Sequence, residues 1–174
     1  MLTHNDVVVS SRFTEEQAHD PDFLTKLRTS RPTTATVGLN TTESLTDVCL
    51  DSGCSGSIIN EAFAETIPDI DIRSCRPIGI KGIGSKHKAI RYGVFRVNFP
   101  SVDPSPAPGA PSFARITVRA QLVPEMRPNL LIGNDVMRRE GMLLDPEYTV
   151  GAIRSCNNFV FSVRCNAEDQ LVHL

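Results

Sequence analysis

Twelve prolines and eleven glycines are scattered along the 174 residues, and punctuation this dense favours short strands and turns over long helices. The apolar residues between these breaks follow the same rule. Ile116, Val118, Ala120 and Leu122 alternate with Arg115, Thr117, Arg119 and Gln121, which is the pattern of a half-buried antiparallel strand. Ile90, Tyr92 and Val94 keep one parity and Phe95, Val97 and Phe99 take the other, so a bulge is expected near Gly93. Short β-prone runs occupy 34–39 and 47–50, and two more, at 149–153 and 159–164, are expected to close the sheet. The run Pro100 to Pro111 holds five prolines. Proline cannot enter a sheet interior, so this is an exposed loop, read as a tolerated insertion rather than a proline-motif ligand.

Two short helices complete the expectation of a mostly-β domain. One spans 60–65, capped by Asn60 and ended by Pro68. The other spans 134–140, with Asn134 and Asp135 at its positive end, Arg138 and Arg139 at its negative end and Gly141 placed to stop it. The length suits one domain. Residues 1–32 are polar and read as a leader, a linker or an arm in which 14–17 starts a short helix, and 33–174 are read as the folded domain.

Charge and cysteine usage exclude several classes. A net charge of −2 gives no basic footprint for nucleic acid. No apolar run approaches the roughly 20 residues of a membrane span, and the first residues lack the basic start and apolar stretch of a signal peptide. Cys49, Cys54, Cys75, Cys156 and Cys165 are odd in number and lack framework spacing, so they are read as reduced thiols of a cytoplasmic protein, with a secreted disulfide scaffold as the alternative. They also lack zinc-site spacing, and His4, His19, His87 and His173 stand singly, so neither metal nor cofactor is expected. Lys81, Lys86, His87, Lys88 and Arg91 are read as a solvated hairpin edge.

The chemistry concentrates in 48–56, Val-Cys-Leu-Asp-Ser-Gly-Cys-Ser-Gly. Asp51 ends an apolar strand and opens a turn of small residues that lets another backbone approach closely. By itself Asp-Ser-Gly fits an ordinary turn, in which Asp accepts backbone N–H groups. A second element is Ile78-Gly79-Ile80-Lys81-Gly82-Ile83-Gly84, where two glycines around one apolar residue suit a hairpin tip lying flat on an extended peptide. The third, 129–135, is an apolar strand ending in Gly133 at a helix start. Each has an ordinary reading alone. Their order and spacing together are far more specific.

In that order the chain resembles the retropepsins, the viral and retrotransposon aspartic peptidases and their cellular relatives, over about 33–153, with further C-terminal strands at 154–165. Asp51-Ser52-Gly53 resembles the catalytic triplet, Gly82-Ile83-Gly84 the flap tip, and Leu131-Ile132-Gly133 the apolar-apolar-Gly element before the family's helix. The wording around Asp51 and Asn134 is nearest to retrotransposon polyproteins. The resemblance implies an acid-protease fold of closed, bent β-sheets with the active site on the two-fold axis of a homodimer. Asp51 of each subunit would then form a carboxylate dyad that hydrolyses a peptide or polyprotein substrate, with Ser52 and Gly53 shaping the loop. It also implies substrate contacts from Cys54, Ser55, Ile58, Ile80, Lys81, Gly82, Ile83, Gly84 and Leu131. Ser52 stands where Thr is commoner, Cys54 where Ala is usual and Ser55 where many viral members have Asp. The alternative function is a catalytically inactive retropepsin-like module that dimerises or binds peptides.

Overall fold

The computed structural model describes residues 7–22, 32–80 and 87–165. They fall into two compact units, residues 7–22 belonging to one and the remainder to the other. In the first, Thr14 caps the helix Glu15–Ala18: its hydroxyl accepts the Gln17 N–H while the Gln17 side chain accepts the Thr14 N–H. This reciprocal box satisfies two donors that a helix start otherwise leaves open.

The second unit holds ten strands. Seven form one sheet: β1 Thr34–Leu39, β2 Thr46–Leu50, β3 Ile58–Asn60, β4 Asp71–Ile80, β5 His87–Pro100, β6 Phe113–Val123 and β7 Leu130–Ile132. Their order is β1-β2-β7-β3-β6-β5-β4, and a further pairing of β1 with β5 closes the first six into a ring. The fourteen residues of β5 make this possible. Its first part pairs with β4 up to Val94, and Val97 and Asn98 pair with Leu39 and Gly38 of β1. Closure removes open edges, and β4 remains outside the ring with β5 as its one strand neighbour.

The alternation read on β6 is borne out: Ile116, Val118, Ala120 and Leu122 are buried and β6 runs antiparallel to β5. The bulge expected at Gly93 is not there. Between Ala89 and Phe99 the odd positions are buried except the partly exposed Arg91, and the β5–β6 register runs unbroken from Tyr92 to Pro100. The irregularity lies on the partner strand instead, between Ser74 and Ile78 of β4. Parity misled because Gly93 is an inward position with no side chain, and the Ile70 side chain fills the space that a Cβ would need.

The C-terminal strands also differ from expectation. β9 Val150–Ile153 and β10 Phe159–Ser162 do not extend the large sheet; with β8 Met142–Asp145, unforeseen in the sequence, they form a separate three-stranded sheet, β10-β9-β8. A single bridge, Thr34 to Arg164, links this end of the chain to β1. Phe161 packs its ring 4.6 Å from that of Phe99, so the small sheet shares one core with the large one. Both helices stand where expected, at Glu61–Ala64 and Asn134–Glu140, and Gly141 ends the latter in the left-handed region at φ 61°. Ser101 N–H to Ser112 O pins the base of the proline-rich loop, whose residues are mostly exposed.

Candidate active site

Two parallel strands bring the site together. β2 and β7 are neighbours, with Leu50 opposite Ile132, so the residues that follow each strand emerge side by side at the same edge. Asp51 leaves β2 there and Gly133 leaves β7. The Asp51 N–H donates to Ile132 O at 2.9 Å. The loop after Asp51 then folds back over the start of the second helix, where Asn134 N–H donates to Cys54 O at 2.7 Å and Asp135 N–H to Ser55 O at 3.2 Å. Helix starts leave such N–H groups without intrahelical partners, and here the loop supplies the acceptors.

This contact requires glycine at 133. A Cβ there would stand 2.6 Å from Cys54 O and 2.8 Å from Gly56 O, distances no carbon–oxygen pair tolerates. Ser57 locks the same corner. Its buried hydroxyl accepts the Gly133 N–H at 3.0 Å and donates to Asp135 Oδ1 at 2.9 Å. Sequence reasoning passed over Ser57. The available signal was a lone hydroxyl residue between Gly56 and the apolar Ile58-Ile59.

Asp51 itself is half-buried, and its Oδ1 accepts the Gly53 N–H at 2.9 Å, which fixes the carboxylate against its own loop. Ser52 and Gly53 lie exposed at the rim. Cys54 turns inward enough for its thiol to donate to Gly56 O at 3.1 Å. Partial burial raises the Cys54 pKa above the ordinary thiol range; the Gly56 backbone opposes this, and the negative charges of Asp51 and Asp135 reinforce the rise. Burial likewise pushes Cys49 up, with Asp51 adding to the effect. Both thiols are therefore held protonated beside a carboxylate, and neither is a ready nucleophile.

A cleft of about 310 Å³ opens beside this loop. One wall is 54–58, and the opposite wall is Ile78, Gly79 and Ile80 at the end of β4. Of the residues expected to touch substrate, Cys54, Ser55, Ile58 and Ile80 line this cleft. Leu131 packs with Ile80 against the buried cluster of Ile58, Val123 and Met126 just behind it. Lys81, Gly82, Ile83 and Gly84 lie outside the described residues. The remaining lining, Arg119 and Gln121 from β6 and Asp135 and Arg139 from the second helix, was not anticipated. Strand alternation marks Arg119 and Gln121 only as the outward face of β6, helix-end charge accounts for Asp135 and Arg139, and periodicity alone cannot tell a cleft wall from open solvent.

Five thiols, Cys49, Cys54, Cys75, Cys156 and Cys165, are unpaired. Among the described residues no cluster of three His, Cys, Asp or Glu could hold a metal ion, and no helix is long and apolar enough to cross a membrane.

No family model matches the sequence, and no curated protein matches it. Among solved structures, the chain is similar to the retroviral protease-like domain of Ddi1 from Leishmania major, with 19% identity over 75% of this chain and 93% of that one, at a TM-score of 0.48. It is also similar to the EIAV protease complexed with the inhibitor HBY-793, with 18% identity over 66% of this chain and 93% of that one, at a TM-score of 0.44.

Proposed function

We propose that this chain is one protomer of a homodimeric, retropepsin-like aspartic endopeptidase and that Asp51 is its catalytic carboxylate. The observation that carries the reading is the placement of Asp51. It is a half-buried carboxylate on a loop pinned by the start of the second helix, and the residues that follow it, Cys54 to Ile58, line a cleft together with Ile78, Gly79 and Ile80 of β4. A carboxylate positioned this rigidly is what general acid–base chemistry requires.

Two acids are needed, and symmetry supplies the second. Asp51 of each subunit would meet its mate across a two-fold axis. Carboxylates about 3 Å apart cannot both ionise, so the pair holds one proton and titrates as a unit. The ionised member takes a proton from water as that water attacks the peptide carbonyl. The protonated member donates to the carbonyl oxygen and stabilises its developing charge. Exposed Ser52 is available to bond across the axis, and exposed Gly53 lets a substrate backbone pass close to the dyad. The reading includes a substrate cleaved between apolar residues in the cytoplasm, such as a retrotransposon-type polyprotein, and needs no metal.

Asp51→Asn tests it. Replacing the acid with an amide of the same shape should lower peptide cleavage by about 10³-fold or more while urea unfolding stays the same. Specific activity of the parent should also fall steeply on dilution as dimers separate. Cleavage undiminished in Asp51→Asn, or a strictly monomeric active species, would overturn the assignment.

A further inference from the structure

The cleft beside the Asp51 loop has two chemical characters. Its apolar part is three isoleucines, Ile58 beside the loop and Ile78 and Ile80 of β4. On the β6 side it ends at Arg119, whose guanidinium carbon lies 3.6 Å from the centroid of the Tyr92 ring. Among the described residues Arg119 has no carboxylate partner. The other arginine of the lining is already occupied: Arg139 Nε donates to Glu140 at 2.9 Å and its Nη2 to Thr117 O at 2.6 Å. Asp135, the one acid in the lining, has Oδ1 engaged by the Ser57 hydroxyl. Gln121 stands beside Arg119 on the same face of β6, and its Oε1 accepts from the Cys75 thiol at 3.8 Å. Its amide N–H₂ is thus left to donate.

On the peptidase reading above, we propose that this cleft is a specificity subsite for an acidic substrate side chain. The methylenes of a glutamate would lie against the three isoleucines, and its carboxylate would meet Arg119 with help from the Gln121 amide. A stacked guanidinium suits the task because its planar fork stays charged at any working pH and pairs with both carboxylate oxygens. Stacking on Tyr92 also fixes it in advance, so less side-chain entropy is lost on pairing. Asp135, the one carboxylate in the lining, repels an acidic group, so the Arg119 contact has to outweigh it.

The test uses the full chain and peptides that differ only by Glu or Gln, placed in turn at each position within four residues of a cleaved bond. At pH 5.5, where Glu is ionised, kcat/KM should favour Glu by about tenfold at one position. That preference should fade below pH 4, collapse in Arg119→Gln, weaken without vanishing in Arg119→Lys and invert toward Lys-bearing peptides in Arg119→Glu. Equilibrium binding of the same peptides to Asp51→Asn, followed by fluorescence anisotropy, requires no turnover. If the parent cleaves nothing but Asp51→Asn binds Glu peptides more tightly in an Arg119-dependent way, the subsite stands and the catalytic reading fails. Equal treatment of Glu and Gln at every position, a preference that survives Arg119→Gln, or no peptide binding at all would overturn the subsite.

Discussion

The Asp51 loop and the end of β4 line the same cleft, yet they are held by opposite means. Around Asp51 the restraints converge from three directions, two of them backbone to backbone: Ile132 O, the Asn134 and Asp135 N–H groups, and the Ser57 hydroxyl. The opposite wall belongs to a strand outside the closed ring, with one strand neighbour, mostly exposed residues and a break in register between Ser74 and Ile78. The chemical group therefore sits where the backbone leaves no slack, and the cover sits where little is packed against it. On the proposed reading, placing an acid to within a fraction of an ångström while admitting varied peptides calls for this division.

Gly133→Ala attacks the rigid side most directly. The new methyl would overlap two backbone oxygens, and a loop tied at both ends has no side chain to rotate away. A loss of about 3 kcal/mol of unfolding free energy is expected, at the upper end for overpacking, read as a lower urea midpoint at unchanged m. Cleavage should fall with it, because relief can come only by moving the Asp51 loop. Ser57→Ala should cost less, about 2 kcal/mol, by stranding the buried Gly133 N–H. It also frees Asp135 Oδ1. A variant with parental stability in either case would mean that the corner adapts, and the contrast between the two walls would weaken.

Much of this corner could be read from the sequence, because its parts are local. An acid at a strand end, a Gly at a strand–helix junction and a helix stopped by Gly141 each follow from neighbours in the chain. The β6 alternation was legible for the same reason. What was not legible depends on partners distant in sequence. Whether Arg119 and Gln121 face solvent or a cleft depends on where residues 54–58 and β4 come to lie. Whether 150–153 joins the large sheet depends on β8, whose Met142-Leu143-Leu144 carries no alternation to mark it. The Gly93 error is subtler: a glycine occupied a core position and broke a pattern that the fold kept.

The gentlest probe of the comparison is Gly79→Ala on the loose wall. Gly79 is a strand residue on the cleft, and a Cβ added there meets nothing within 4 Å. Alanine has fewer unfolded conformations than glycine and fits a strand without strain, so it should raise stability by about 0.5 kcal/mol. The same kind of substitution that damages the Asp51 corner at Gly133 should therefore be neutral or slightly favourable a few residues across the cleft. Chemical unfolding of the two variants side by side measures the difference. Should Gly79→Ala instead lose more than about 1 kcal/mol, β4 would be packed more tightly than its exposure indicates, and it would share the rigidity of the Asp51 wall.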